Sequence, residues 1–262
     1  MNESRTSENS YPRNPRPKIV GLIPARIGSV RVKCKNLRMI AGKPLIYYSI
    51  AALKQAKSFD EVYVNSESEL VGAVAQRYGA KFYQRPKELA TSTSMIDEYI
   101  YDFLKHVPCD VLAVVNPTSP FLKSKEIDAA IDHFLEHDFD TQLACTNVRT
   151  HCFLEGKEIN FSTQGKHPRS QDLPPVQALN FAVTIWNSAK FVRQYEEKGY
   201  AVYTGKLGLY AFEGLSTIDI DWEEDFVLAE LIVGNRDKFG NPKAEYDPVL
   251  NEILARGDKT ES

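Results

Sequence analysis

A series of short apolar runs, each cut off by a turn-forming residue and followed by a longer amphipathic stretch, restricts this chain more than any other feature. Ile19–Ile23 is stopped by Pro24, and Pro44 then opens an apolar-periodic segment through about Ala56. Glu61–Asn65 precedes a helical pattern from Leu70 to Tyr78 closed by Gly79. Lys81–Tyr83 ends at Arg85–Pro86, and a helix is expected from Thr93 to Lys105. Val111–Val115 breaks at Asn116–Pro117 and precedes a helix from Lys125 to Leu135, with a strand near Leu143–Cys145. Runs this short and apolar suit strands buried on both faces. Their alternation with helices predicts an α/β fold with a mostly parallel sheet and right-handed crossovers.

The pattern changes at about 148–179, where short alternating pieces and a polar stretch with His167, Pro168 and Arg169 replace the strand–helix rhythm. This predicts a small antiparallel insertion. Beyond it come an expected strand at Phe181–Ile185, a helix from Ala189, strands near Val202 and Leu209–Phe212, and a helix over Asp221–Val233. The domain expected is therefore 18–233, preceded by a disordered polar tail, 1–17, and followed by a C-terminal extension, 234–262, that the patterning does not place.

Charge and cysteines narrow the function. A net charge of -3 argues against a nucleic-acid partner but not against a local basic site for a small polyanion. Cys34, Cys109, Cys145 and Cys152 are scattered, which reads as free thiols in a reducing cytoplasm. No apolar run reaches the roughly 18–20 residues that span a bilayer, so no membrane association is expected.

Three segments can carry chemistry. The loop from Pro24 to Asn36 follows the first strand, and in it Arg26, Arg31, Lys33 and Lys35 accompany Gly28 and Ser29. Cations and backbone N–H groups at the carboxyl end of a parallel strand suit a triphosphate, although a solvated basic loop has the same composition. The loop is neither a P-loop nor a dinucleotide fingerprint. The second segment is Ile218–Asp219–Ile220–Asp221: carboxylates two apart on an extended chain face the same way and can hold a hard divalent ion. The alternative is that Asp221 caps the following helix and Asp219 is solvated. The third, Asn116–Pro117–Thr118–Ser119–Pro120, is a rigid turn with hydrogen-bonding side chains at the sheet edge, or only a turn.

In chain order, Pro24–Ala25–Arg26, Gly28–Ser29, Lys35–Asn36, Arg85–Pro86 with Glu88–Leu89–Ala90, Pro117–Pro120, Pro168–Arg169 with Leu173–Pro174, and Ile218–Asp221 resemble the acylneuraminate cytidylyltransferase family. The resemblance implies a Rossmann-like domain, a homodimer made through the insertion, and an enzyme that transfers CMP from CTP to an acidic small molecule. It implies that Arg26, Gly28, Ser29, Arg31, Lys35, Asn36, Arg85, Asn116, Thr118 and Ser119 hold the nucleotide. Arg169, Gln171 and Asn180 would meet the acceptor, while Asp219 and Asp221 would bind Mg²⁺. Arg26, Lys35 and Asp221 would carry catalysis, with Asp221 or a metal-bound hydroxyl as base. His133 and His137 are expected on a helix surface with no role.

Departures cluster on the acceptor side. Val30 stands where the family has Lys, Asn116 where it has Gln, and Ser66–Glu67 where it has Thr-Asp. Ala178–Leu179–Asn180–Phe181–Ala182 replaces Arg-Pro-Asn-Gly-Ala. The acceptor expected is therefore a nonulosonate or related 3-deoxy-ulosonate. A phosphonate or other small acid, and a degenerate nucleotide binder without turnover, stand as alternatives.

Overall fold

A computed structural model describes residues 16–29, 32–235 and 247–249. The expected tail lies outside these apart from its last two residues, as do Val30, Arg31 and most of the expected C-terminal extension. The described chain opens with β1 (Ile19–Pro24), a ribbon of β2 (Met39–Ile40) and β3 (Lys43–Pro44), and α1 (Leu45–Gln55). Next come β4 (Glu61–Ser66), α2 (Glu69–Arg77), β5 (Lys81–Gln84) and α3 (Ile96–His106). They are followed by β6 (Val111–Val115), α4 (Ser124–Glu136) and β7 (Thr141–Val148). A hairpin of β8 (Phe153–Leu154) and β9 (Lys157–Glu158) precedes β10 (Val176–Asn187), α5 (Ser188–Lys198), β11 (Leu207–Phe212) and α6 (Glu223–Gly234).

Seven strands form one sheet in the order β11-β7-β10-β6-β1-β4-β5. All neighbours pair in parallel except β10, which runs antiparallel to both β6 and β7. The expected mostly parallel α/β sheet is thus the observed one, with a single reversed strand. That strand returns from β7 through a hairpin and a loop without a crossover helix, so it can only lie antiparallel beside β7. The expected insertion boundary at 179 falls inside β10, whose first residues already belong to the main sheet.

Strand alternation builds a core on each face. Ile19, Ile23, Val111, Ala113 and Val115 face α1, α2 and α4. Val20, Leu22, Leu112, Val114 and Trp186 face Ile100 and Phe103 of α3 and Phe191 of α5. A third, smaller cluster packs Phe226, Ala229 and Ile232 of α6 against Val32, Ile40, Phe121 and Ile220. It fixes the segment before α6 against the loop after β1.

Several local expectations shift. The segment expected to open at Pro44 becomes helical one residue later, at Leu45, with Pro44 extended as its N-cap. The Val202 region forms no strand; its backbone N–H donates to Asp97 Oδ1, 2.9 Å away, instead of to a neighbouring strand. The third helix begins at Ile96, because Thr91 and Ser94 close a polar turn in which the Ser94 hydroxyl donates to Glu88 O at 3.1 Å. Ser and Thr compete with helix in this way through local side-chain bonds.

The four cysteines are unpaired thiols. No helix among the described residues is long and apolar enough to cross a membrane. His133 is half-buried, bonded to Gln142 Oε1 at 2.7 Å and in ring contact with His137, away from the clefts described next.

Candidate active site

β1 lies between β4 and β6, so the order of strands reverses at the gap between β1 and β6. Open α/β sheets place ligands outside the carboxyl ends of strands at such a point. Here an open cleft of about 410 Å³ occupies that position, within the range usual for small-molecule sites.

The loop after β1 is held from several sides. Ala25 N donates to Asn65 O at 3.0 Å, and Ser29 N to Ile27 O at 2.9 Å. Ile27 N donates to the Glu67 carboxylate at 2.9 Å, tying the loop to the end of β4. Asn36 is buried, donates to Arg26 O at 3.1 Å, and leaves its Oδ1 without a hydrogen-bond partner. Arg26, Ser29, Lys35 and Asn36 line one side of the cleft as a result.

Asp219 and Asp221 line the cleft as well. Between them Ile220 is fully buried and its N–H donates to Thr118 O at 2.9 Å, which anchors the segment and leaves both aspartates at the cleft. Lys35 Nζ bonds to Ile220 O and lies 3.5 Å from Asp221 Oδ1. The cap reading of Asp221 does not hold. Trp222 is the N-cap, and the Asp225 carboxylate accepts from Asp221 N at 2.9 Å and Trp222 N at 2.8 Å. Although Asp219 is exposed as a whole residue, partial desolvation pushes its carboxyl above the usual range. The Thr118 hydroxyl opposes this, the Asp221 charge adds to it and Lys35 opposes it again.

Two carboxylates suit Mg²⁺, which takes one or two from protein and fills its shell with water and phosphate oxygens. No cluster of three or more His, Cys, Asp or Glu able to hold a metal occurs among the described residues, so the set does not resemble an all-protein cage. A divalent cation held by Asp219 and Asp221 would also offset the repulsion between the two carboxylates.

A side pocket of about 240 Å³ adjoins the cleft and shares Pro24, Arg26 and Asn116 with it. Its wall includes Arg85, 4% exposed, whose Nε donates to Asn65 Oδ1 at 2.5 Å and Nη2 to Asn65 O at 3.1 Å. The guanidinium also lies 4.1 Å from the Tyr99 ring centroid. Desolvation pulls the Arg85 pKa down and pushes Tyr99 up to about 12, so the phenol remains a neutral hydrogen-bonding group. Thr91 and Ser94 complete a polar wall, and Arg26 donates to Thr91 O at 3.0 Å.

Most residues singled out from the sequence therefore meet. Asn116, Thr118 and Asn180 join Arg26, Ser29, Lys35, Asn36 and the aspartates at the cleft, with Arg85 next door. Others do not. Gly28 is exposed and outside the cleft lining, and Ser119 is buried within its turn. Arg169 pairs with Asp172 at 2.7 Å, and it and Gln171 sit on the insertion, outside the lining. Arg31 is outside the described residues.

Glu67, Thr91, Ser94, Tyr99 and Phe181 were not among the sequence candidates. The Thr91–Ser94 hydroxyl run was an available signal, and Glu67 and Phe181 stood out only as departures from the family pattern; nothing local marked Tyr99. Glu67→Ala removes the acceptor for Ile27 N and is expected to raise the Michaelis constant for a nucleotide about tenfold, the equivalent of one charge-assisted hydrogen bond. Glu67→Gln keeps an oxygen there and should stay within about threefold of wild type. Equal effects of the two variants in steady-state assays refute this positioning role.

A family model described as Cytidylyltransferase matches residues 20–233. The N-acylneuraminate cytidylyltransferase of Escherichia coli O18:K1:H7 is 42% identical over 94% of this chain and 59% of its own length. The CMP-N,N'-diacetyllegionaminic acid synthase of Legionella pneumophila is 38% identical over 82% of this chain and 96% of its own. The chain spans 52% of the length of the N-acylneuraminate cytidylyltransferase of Streptococcus agalactiae. Among solved structures, a CMP:2-keto-3-deoxy-manno-octonic acid synthetase complexed with CTP superposes with a TM-score of 0.64 at 14% identity, over 84% of this chain and 99% of that one. That likeness concerns the fold, and the fold is Rossmann-like.

Proposed function

The chain belongs to the cytidylyltransferase family, and from that membership we propose that it transfers CMP from CTP to an acidic sugar of the nonulosonate or 3-deoxy-ulosonate class, releasing pyrophosphate. The observation that carries this reading is the convergence of Arg26 and Lys35 with Asp219 and Asp221 on one cleft at the β1–β6 switch point. Names of the relatives, which concern CMP-activated acidic sugars, support the acceptor class.

In this reading the side pocket takes the nucleoside, with Arg85 and Tyr99 as its floor, and the cleft takes the triphosphate and acceptor. An acceptor hydroxyl oxygen attacks the α-phosphorus in line; the new O–P bond forms as the bond to pyrophosphate breaks. Arg26, Ser29, Lys35 and Asn36 orient the phosphates, and the two cations offset charge that grows on the leaving group. Asp219 and Asp221 would hold Mg²⁺, which would supply positive charge to offset that of the phosphates. The proton of the attacking hydroxyl would pass to Asp221, which lies at the cleft beside Lys35, or to a hydroxyl on the metal.

The insertion supplies the proposed homodimer contact. Phe153, Leu154 and Ile159 are exposed on it, an apolar set that a second copy can cover. Arg169 and Gln171, outside their own cleft, then reach the acceptor of the partner subunit. A single monomeric species in sedimentation velocity removes this part of the proposal.

The function is tested by pyrophosphate release with CTP and Mg²⁺ against a panel of acidic sugars and phosphonates, with ATP, GTP and UTP as controls. Release with CTP and one keto-acid sugar is expected. Release with a phosphonate alone, or silence despite CTP binding, overturns the assignment.

A further inference from the structure

β10 carries an irregularity that its neighbours do not. Its pairing with β7 shifts between Leu179, opposite Cys145, and Thr184, opposite Leu143. Four residues of β10 therefore face a single residue of β7, and the surplus bulges at the carboxyl end of β6. Asn116 clamps the bulge from below, since its Nδ2 donates to Phe181 O at 2.8 Å and its N–H to Ala182 O at 3.1 Å. Asn180 closes it locally by accepting from Ala182 N at 3.1 Å and donating to the Thr146 hydroxyl at 3.0 Å.

At the apex Phe181 has φ of +53°. That left-handed conformation is free for glycine and strained for a bulky residue. Strain of this kind persists where surrounding structure imposes it, and it clusters at ligand sites. The usual repayment, burial in a core, is missing. Phe181 is only half-buried and, among the described residues, belongs to none of the three core clusters. Its place is the lining of the main cleft, beside Asn180 and across the shared wall from the nucleoside pocket, which it does not line. A strained half-buried residue outside the core clusters and in the cleft lining is placed to meet what enters that end of the cleft.

We propose that Phe181 is an acceptor-specificity residue, its ring packing against an apolar substituent of the sugar acid, an acylamido methyl or deoxy carbon, and disfavouring acids that present only hydroxyls there. The inference rests on the cytidylyltransferase reading given above and refines its acceptor. An aromatic face gains from covering methyl and C–H surface and offers nothing to a hydroxyl, which loses its water on contact. One apolar group in a pocket is worth about ten- to two-hundredfold in discrimination.

The test compares the full-length wild type with Phe181→Gly and Phe181→Leu. Pyrophosphate release is measured with CTP and three acceptors: N-acetylneuraminate, N,N'-diacetyllegionaminate and the hydroxyl-only 3-deoxy-manno-octulosonate. Calorimetric CTP affinity and thermal midpoint are measured alongside. Phe181→Gly relieves the backbone, so its midpoint is expected to hold or rise and its CTP affinity to stay within about twofold. The ratio of kcat/KM between the preferred acylamido acid and the hydroxyl-only acid should fall about tenfold or more, mainly through KM. Phe181→Leu keeps apolar bulk and should keep most of the ratio. An unchanged ratio in Phe181→Gly, or a fall in its midpoint by several degrees with CTP affinity lost as well, overturns the proposal and makes Phe181 a structural residue. A wild type that prefers the hydroxyl-only acid overturns it while leaving cytidylyl transfer in place. A wild type that releases pyrophosphate with none of the three overturns both.

Discussion

Asp221→Asn is expected to lower turnover with CTP and Mg²⁺ about a thousandfold while leaving the fold intact, on the scale of losing one preorganised electrostatic group. The side chain of Asp221 is 44% exposed, and no core cluster depends on it, so its charge can be removed without opening a cavity. What changes is the cleft: Lys35 loses its carboxylate partner, and the pair of oxygen donors shrinks to Asp219 alone. Asp225 is the control. Its carboxylate caps α6 through Asp221 N and Trp222 N, so Asp225→Ala should cost about 1 kcal/mol of stability and change turnover little. The two aspartates lie four residues apart, and the readouts separate them: rate for one, denaturation midpoint for the other. Wild-type turnover in Asp221→Asn removes it from the site, and a Mg²⁺ titration of the same variant checks the donor role directly. An unshifted metal optimum speaks against coordination even if the rate falls.

Much of this was legible beforehand because its signals are local. Apolar runs ending at Pro24 and Asn116 mark central strands, since only buried parallel strands need such uniform burial, and their ends mark the cleft. The aspartates at 219 and 221 were legible as a pair because side chains two apart on an extended segment point the same way. The cap was not. Asp225 won the helix N-terminus over Asp221 because the chain remains extended through Trp222, which a residue count alone does not reveal. The reversal of β10 depends on the return path from β7, a property of the connection and not of the strand. Glu67 and Tyr99 are 32 residues apart; Glu67 holds Ile27 N from the end of β4, and Tyr99 meets Arg85 from α3. Long-range contacts of that kind leave no spacing to read. Phe181 was visible as a substitution for glycine, but its meaning required the backbone angle and the bulge.

Arg85→Met should reduce both stability, by about 3 kcal/mol, and CTP affinity, by about a hundredfold, because one residue serves both ends of the same network. Arg85 is almost completely buried, yet its guanidinium donates to Asn65 Oδ1, Asn65 O and, at 3.4 Å, Leu89 O. Methionine matches much of its volume but leaves those acceptors dry. Asn65 also accepts from Ala25 N, so the end of β4 joins Arg85 to the loop after β1. Loosening one loosens the other. Arg85→Lys discriminates between charge and geometry. A lysine restores the positive charge but not the fork that reaches two oxygens of Asn65 at once. If Arg85 acts only as a charge beside a triphosphate, the lysine variant binds CTP nearly as well as wild type. If it acts by fixing β4 to the nucleoside pocket, the lysine variant is weakened in both denaturation and calorimetry, within about threefold of the methionine variant in affinity. The second outcome is the expected one, since desolvation already disfavours the charge at this place, and the three hydrogen bonds, the Tyr99 face and the charges of Glu67 and Asp102 offset that burial.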